Sequence, residues 1–453
     1  MNKRRLSESP EPHERPAKRP EIETTGSQPE ESSVSSTSLA YPSLHSSTSL
    51  RPVPFQQPSS LLTFSYNPQR VLEFTNSALR YYIDPPPGAD LRYGYERWIK
   101  RPEEKSRLDG LLRAIERIME KADTSMGLGS GKKWLREIAV VTWRGVMTKI
   151  LTAPYEERDG CEFNAMCVNG TIYLEEHLSD ARLAEKEDIA PRHRQQTYYG
   201  YSFESWCTSS RPGIPEQIDG HPIGWGGDVD TNVQWCSVIK TKLGDNRLVV
   251  GGEVDCVRGE HQGRTDKLVE LKTSMSIRGP EDEARFEKKL LKFYMQSFLL
   301  GVPEIVVGFR TPAGRLTTTQ VFRTIEIPRL VRGKPGAWDP QICLSWGQHF
   351  LSTLKSVLSS QATSSESAST PRVWRVSLRP RDGVTITPLD ADGVKEVQGG
   401  EDRVGFLPKW YYDLVSRPLS SSSSPVVTAP ESPRRRDDTT LRAQQASHHG
   451  WNI

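Results

Sequence analysis

Between residues 61 and 415 the apolar positions fall into two repeating patterns, and outside that span they thin out. In EEKSRLDGLLRAIERIMEK (103–121), Leu108, Leu111, Leu112, Ile115, Ile118 and Met119 form one stripe at helical spacing. GPEDEARFEKKLLKFYMQSFLLG (279–301) predicts a second helix, opened by Pro280 and three acids and stopped by Gly301. Shorter apolar runs predict strands. FNAMCVNGTIYLEE (163–176) reads as two strands turned at Asn169-Gly170, a type I′ hairpin signal. RLVVGGEVDCV and DKLVELKTS predict two more; EIVVGFR (304–310) and TTQVFRTIEI (318–327) predict a further pair around TPAGRLT. Helices and strands alternate without an internal repeat. The expected fold is therefore a single α/β domain with a mixed sheet, spanning 61–415.

The flanks have little to bury. Residues 1–60 and 416–453 are rich in Ser, Pro and charge and are expected to be disordered tails. LSSQATSSESASTP (358–371) reads as a surface insertion between a helix and a strand. KRR (3–5) and AKRP (17–20) are spaced like a bipartite nuclear import signal, which predicts a nuclear location.

Composition narrows the class. Sixty Lys and Arg against 57 Asp and Glu give a formal charge of +3, so any nucleic-acid surface must be local. The six cysteines form no CxxC pair and no zinc-finger spacing, as expected in a reducing compartment. The sequence has no apolar stretch of about 20 residues and no secretory h-region, so the expectation is a soluble intracellular protein without a membrane.

Against this background GGEVDCVRGE (251–260) is unusual: Glu253 and Asp255 stand two apart in an apolar run, and Glu270 and Lys272 repeat the spacing in KLVELKTS. Positions i and i+2 of a strand share a face. If the two strands pair, all four groups fall in one patch. Crowded carboxylates repel unless a cation joins them, and Mg²⁺ or Mn²⁺ takes oxygen ligands of this kind. Lys272 would then position or activate a water. An amphipathic, solvated strand face is the plainer alternative. Two features oppose it: apolar residues flank the charges on both faces, and Gly251-Gly252 marks close approach of another segment. Lys292 and Gln296 share a helix face and suit a phosphate, or an ordinary solvated helix face. Arg144, alone in VTWRGVMTKI, suits bidentate phosphate binding or a helix edge. Glu204, among aromatics in YYGYSFESW, is a fourth acid for metal or a buried acid paired with an unseen arginine.

Taken in order, VVTWRGVMTKILTAPYE, GYSFE, GGEVDC, VELKTS and KFYMQSFLLGVPEIVVGFR resemble the DXO family of RNA 5′-end decapping nucleases, especially its fungal nuclear branch. The resemblance spans roughly 60–410. It implies a fold related to the PD-(D/E)xK nucleases. It implies metal ligands at Glu204, Glu253, Asp255, Glu270 and the Leu271 carbonyl, a catalytic Lys272, and phosphate contacts at Arg144, Lys292 and Gln296. The implied cofactor is two Mg²⁺ or Mn²⁺ ions. The implied reaction removes pyrophosphate from 5′-triphosphate RNA, incomplete guanosine caps and NAD-type caps, leaving 5′-monophosphate RNA in nuclear quality control. It further implies a partner, the nuclear 5′→3′ exoribonuclease, which the branch stimulates. The hairpin 304–322, with Thr311–Arg315, Phe309 and Val321, is a candidate docking surface or an ordinary core hairpin. Two other functions compete: a non-catalytic subunit stabilising the exoribonuclease, and a DNA-directed PD-(D/E)xK nuclease.

Overall fold

Asn169 and Gly170 adopt φ of 51° and 87°, so Cys161–Val168 and Thr171–His177 close the expected tight antiparallel hairpin. Around it the computed structural model describes residues 36–44, 52–360 and 371–417. A ten-stranded mixed sheet runs Thr37–Leu39, Gly383–Pro388, Val373–Arg379, Cys161–Val168, Thr171–His177, Val140–Trp143, Asn246–Glu253, Gln234–Leu243, Ser59–Tyr66, Leu72–Glu73. A six-stranded sheet runs Leu316–Arg323, Glu304–Arg310, Leu268–Met275, Cys256–Val257, Tyr81–Tyr82, Thr208–Ser209.

Side-chain alternation sorts these strands into three layers. Leu248 and Val250 of the large sheet, and Ile305 and Val307 of the small one, meet in a central core with the helices Arg144–Thr152, Pro280–Leu300 and Pro340–Ser360. Val141 and Val249 face outward, where helix Asp109–Met126 covers the large sheet with Leu111, Leu112 and Ile115. Val269, Leu271 and Val306 face outward from the small sheet onto helix Pro191–Trp206.

Several boundaries move. Helix Asp109–Met126 begins six residues after the expected start at 103, because Arg107 is drawn into a buried pair with Glu175 at 3.0 Å. Order begins before 61: Thr37–Leu39 pairs with Gly383–Pro388, and Tyr41 packs edge-on against Trp346. A polar segment with no core of its own gains one from distant partners. The import-signal residues 3–5 and 17–20 lie outside the described residues, as does 418–453. The helix before the insertion runs on to Ser360 with Leu358 buried, so only 361–370 lie outside the described residues there. The expected strand 318–327 ends at Arg323 and turns into the short helix Ile327–Val331. All six cysteines are free thiols. Among the described residues no helix is long and apolar enough to cross a membrane.

Candidate active site

The run RLVVGGEVDCV is two strands, not one. Asn246–Glu253 belongs to the large sheet; Cys256–Val257 belongs to the small one, where it pairs with Leu268 and Val269. The chain crosses between sheets at Val254-Asp255. Glu253 and Asp255 are therefore brought together by a bend, and the expected direct pairing of the two acid-bearing strands does not occur. What the small-sheet pairing does fix is the second half of the patch. Cys256–Val257 stops opposite Val269, leaving the strand edge open from Glu270 onward. Asp255 occupies that edge and accepts a hydrogen bond from the Leu271 N–H at 2.6 Å. A residue's N–H and C=O point to the same strand edge, so the Leu271 carbonyl faces the Asp255 side as well.

The double glycine has a steric cause. A Cβ on Gly251 would meet the Trp143 ring at 2.7 Å, and one on Gly252 would meet Leu300 at 2.8 Å and the Arg144 Cβ at 3.0 Å. Their absence lets the start of helix Arg144–Thr152 lie against the strand. Arg144, the first residue of that helix, donates from Nη1 to Glu270 Oε2 at 2.8 Å. Lys272 donates to the other oxygen, Oε1, at 2.6 Å, and lies 4.0 Å from Asp255. Glu270 is wholly buried. Burial opposes its ionisation, but the two cations overcome that and hold it at about 2. Lys272 is raised: burial disfavours its charge, and Glu270 and Asp255 more than compensate.

The other three acids are left with a surplus of negative charge. Burial, then Glu270, pushes Asp255 up to about 7. Burial, then Asp255 and Glu253, pushes Glu204 well up; among the described residues no arginine pairs with it, so the alternative of a buried Glu–Arg pair is not realised there. Glu253 is raised by burial, offset in part by Arg144 and by a hydrogen bond from Gln234 Nε2 at 2.7 Å. Four carboxylates thus face two cations in direct contact, Arg144 and Lys272, with Arg101 acting on Glu253 from farther off. That donor set fits a divalent ion. Among the described residues no three Asp, Glu, His or Cys side chains are already drawn around one point, because Arg144 and Lys272 hold Glu270 instead.

The remaining candidates lie at the rim. On helix Pro280–Leu300 the buried face carries Phe286, Leu290 and Met295, as the periodicity requires. Lys292 is exposed and paired with Glu156 at 2.9 Å, so it contacts no member of the acid cluster; Gln296 is half-buried one turn on. The hairpin reading needs correction at Phe309, which is buried against Phe286 and Phe322. Its turn is also half covered: Gly314 is buried against Tyr199, and Arg315 donates to the Gly88 carbonyl at 3.2 Å. Gln234 was not singled out from sequence; it precedes Glu253 by 19 positions on a strand whose partner the sequence did not reveal.

A two-sheet α/β fold with acids and a lysine gathered at a strand junction is the architecture of a divalent-metal nuclease. This chain belongs to the RAI1-like PD-(D/E)XK nuclease family, whose model matches residues 56–412. It is 40% identical to the decapping nuclease RAI1 of Mycosarcoma maydis over 81% of this chain and 89% of that one. It is 35% identical to the human decapping and exoribonuclease protein over 82% and 88%. Its fold matches Candida albicans Rai1 in complex with pU5-Mn²⁺, at a TM-score of 0.68 and 24% identity, over 84% of this chain and 98% of that one. Scheffersomyces stipitis Rai1 in complex with (3′-NADP)⁺ and calcium matches at a TM-score of 0.68 and 23% identity, with the same coverage.

Proposed function

We propose that the protein is a metal-dependent RNA 5′-end hydrolase, acting on 5′-triphosphate, incompletely capped and NAD-capped ends and leaving 5′-monophosphate RNA. The observation that carries this reading is the buried Arg144–Glu270–Lys272 contact with three under-neutralised carboxylates beside it. The names and bound ligands of its relatives support the substrate class.

Glu204, Glu253, Asp255, Glu270 and the Leu271 carbonyl would hold Mg²⁺ or Mn²⁺, in the fuller reading two ions. Such ions supply Lewis-acid neutralisation of phosphate charge and a more acidic water. Lys272 remains charged beside Glu270 and Asp255 and donates to the attacking water, fixing its approach. Arg144 spends one N–H on Glu270 and turns the rest of its guanidinium fork to the phosphate. Gln296, on the neighbouring helix, takes a further phosphate oxygen, with Lys292 as a looser, exposed contact.

The deciding experiment incubates the purified protein alone with 5′-triphosphate RNA and Mg²⁺ or Mn²⁺. Release of pyrophosphate with 5′-monophosphate RNA supports the assignment. An inert protein that still stimulates an exoribonuclease would favour a stabilising subunit, and cleavage of DNA in preference would favour a DNA-directed nuclease.

The nuclear 5′→3′ exoribonuclease fits as partner because it consumes the product. The outer edge of strand Leu316–Arg323 suits docking beyond its start, where the Leu316 N–H donates to the Ala89 carbonyl at 2.9 Å: among the described residues no strand pairs with the rest of it, and Val321 is 49% exposed. A nuclear location follows from the basic clusters at 3–5 and 17–20; deleting 1–22 from a tagged protein in partner-depleted cells tests it.

A further inference from the structure

Glu253 is reached from two sides. Glu270 and Lys272 share the phase of Leu268 and so point into the layer between the sheets, where helix Pro280–Leu300 also packs. Glu253 and Gln234 share the phases of Val249 and Cys236 and point to the outer face of the large sheet. On that outer side two guanidiniums converge on a single neutral acceptor. Arg70 Nη1 donates to Gln234 Oε1 at 2.5 Å and Arg101 Nη1 donates to the same oxygen at 3.1 Å. With its oxygen held by two cations, the Gln234 carboxamide turns its N–H₂ to Glu253.

The two guanidiniums lack an anion in direct contact: Glu253 acts on Arg101 only at longer range, with Gln234 between them. Among the described residues the one carboxylate within 4 Å of either guanidinium is Glu104, 3.8 Å from Arg101 Nε and 60% exposed. Arg70 lies over the Tyr66 ring at 3.8 Å and its other neighbour is the Asn232 carbonyl. Burial and the charge of Arg101 both work against its ionisation. Two half-buried like charges sharing one amide are unfavourable unless a negative group joins them. Arg144, by contrast, already has Glu270.

We propose that Arg70 and Arg101 form an anion subsite for the short 5′-terminal phosphate chain that the enzyme removes. The inference rests on the hydrolase reading above. The extent of each basic surface decides which part of the RNA goes where. Arg285, Lys289 and Lys292 recur at helical spacing down one exposed stripe that ends at the half-buried Gln296, long enough for a polynucleotide backbone to replace the surface partners Asp282 and Glu156. The Arg70–Arg101 pair is two guanidiniums meeting at one oxygen, a charge that matches one or two phosphates and not a chain of them. Glu253 is tied through Gln234 to the Arg70–Arg101 side, and Glu270 shares the strand phase that faces the helix, so the proposed site for the α-phosphorus adjoins both. Water oxygen forms the new bond to that phosphorus, and its protons pass to the departing pyrophosphate and to solvent. The bond to the α–β bridging oxygen breaks, and pyrophosphate departs with the electron pair. The charge that grows on the departing group falls beside the two guanidiniums.

The test uses two RNA pentamers bound in Mn²⁺, one with a 5′-monophosphate and one with a 5′-triphosphate whose α–β bridge is a non-hydrolysable methylene. The full chain should bind the triphosphate form more tightly. Arg101→Ala, and Arg70→Asn, which suits the left-handed backbone at φ 62°, should each reduce that preference about tenfold or more, with monophosphate affinity held within about twofold. If either variant melts well below the wild type, Arg101→Gln, which keeps length without charge, gives the decision. An intact triphosphate preference in these variants overturns the proposal. Equal weakening of both RNAs also overturns it, because the arginines would then serve only the placement of Glu253. Hydrolysis of an ordinary 5′-triphosphate RNA by the wild type is scored separately, so failure of the hydrolase reading is seen apart from failure of the subsite.

Discussion

Arg144 and Lys272 grip opposite oxygens of one carboxylate, Glu270, at 2.8 and 2.6 Å. One cation comes from a helix N-terminus on the large sheet and the other from a strand of the small sheet. Glu270 is thus both a candidate ligand and the joint between two halves of the site, so its removal has two separable effects.

Glu270→Ala is expected to abolish 5′-end hydrolysis and also to lower stability by about 3–5 kcal/mol, since it strands two buried cations. Glu270→Gln keeps hydrogen-bonding atoms and should lose activity with a smaller drop in stability. Denaturant titration beside a single-turnover assay separates the two. Activity within tenfold of wild type in either variant would remove Glu270 from the mechanism.

Asp255→Asn should reduce turnover by at least about 10³-fold, roughly 4 kcal/mol in barrier. The Leu271 N–H keeps an acceptor, so the melting temperature should change little. A large loss of stability would instead make Asp255 a structural cap on the open strand edge.

Proton competition should govern metal loading. Asp255 sits near 7, above its ordinary value, so the metal-free fold holds a proton there that the unfolded chain releases from about pH 4 upward. Through this group, metal-free stability falls as pH rises from about 4 to 7. Glu270, held at about 2, acts oppositely: its contribution is full above its ordinary value and is lost as pH falls toward 2. Apparent Mn²⁺ affinity should weaken up to about tenfold per pH unit below 7. Calorimetric titration at pH 6, 7 and 8 checks this, and a flat profile would count against Asp255 as a ligand.

Chelation should abolish hydrolysis, with Mn²⁺ or Mg²⁺ restoring it and the melting temperature rising on re-addition. Calorimetry should give two ions per chain in the fuller reading; a stoichiometry of one would leave the single-ion form.

If the proposed partnership with the exoribonuclease holds, Val321→Asp should weaken co-purification with it and abolish its stimulation, with intrinsic hydrolysis of triphosphate RNA retained. Val321 is exposed on an edge strand, and strand Glu304–Arg310 lies between it and the strand that carries Glu270. Undiminished association would move the docking surface elsewhere.

Much of this site was legible from local rules. Strand alternation separated Glu270 and Lys272 from Leu271, and helical spacing gave the buried face of Pro280–Leu300. The double glycine signalled a close approach that proved to be Trp143 and Arg144. These signals survive because period, turn chemistry and the missing Cβ act within a few residues. What pairs with what does not. A two-residue bend at Val254-Asp255 carries the chain from one sheet to another, and nothing in EVDCV distinguishes that bend from a continuous strand. Gln234, Arg70 and Arg101 reach Glu253 only through strand register across long sequence separations. Thr37–Leu39 is ordered only by a strand nearly 350 residues away. Backbone hydrogen bonds between strands carry no side-chain identity, so the sequence determined the acids and the elements that hold them, and tertiary pairing alone decided how they meet.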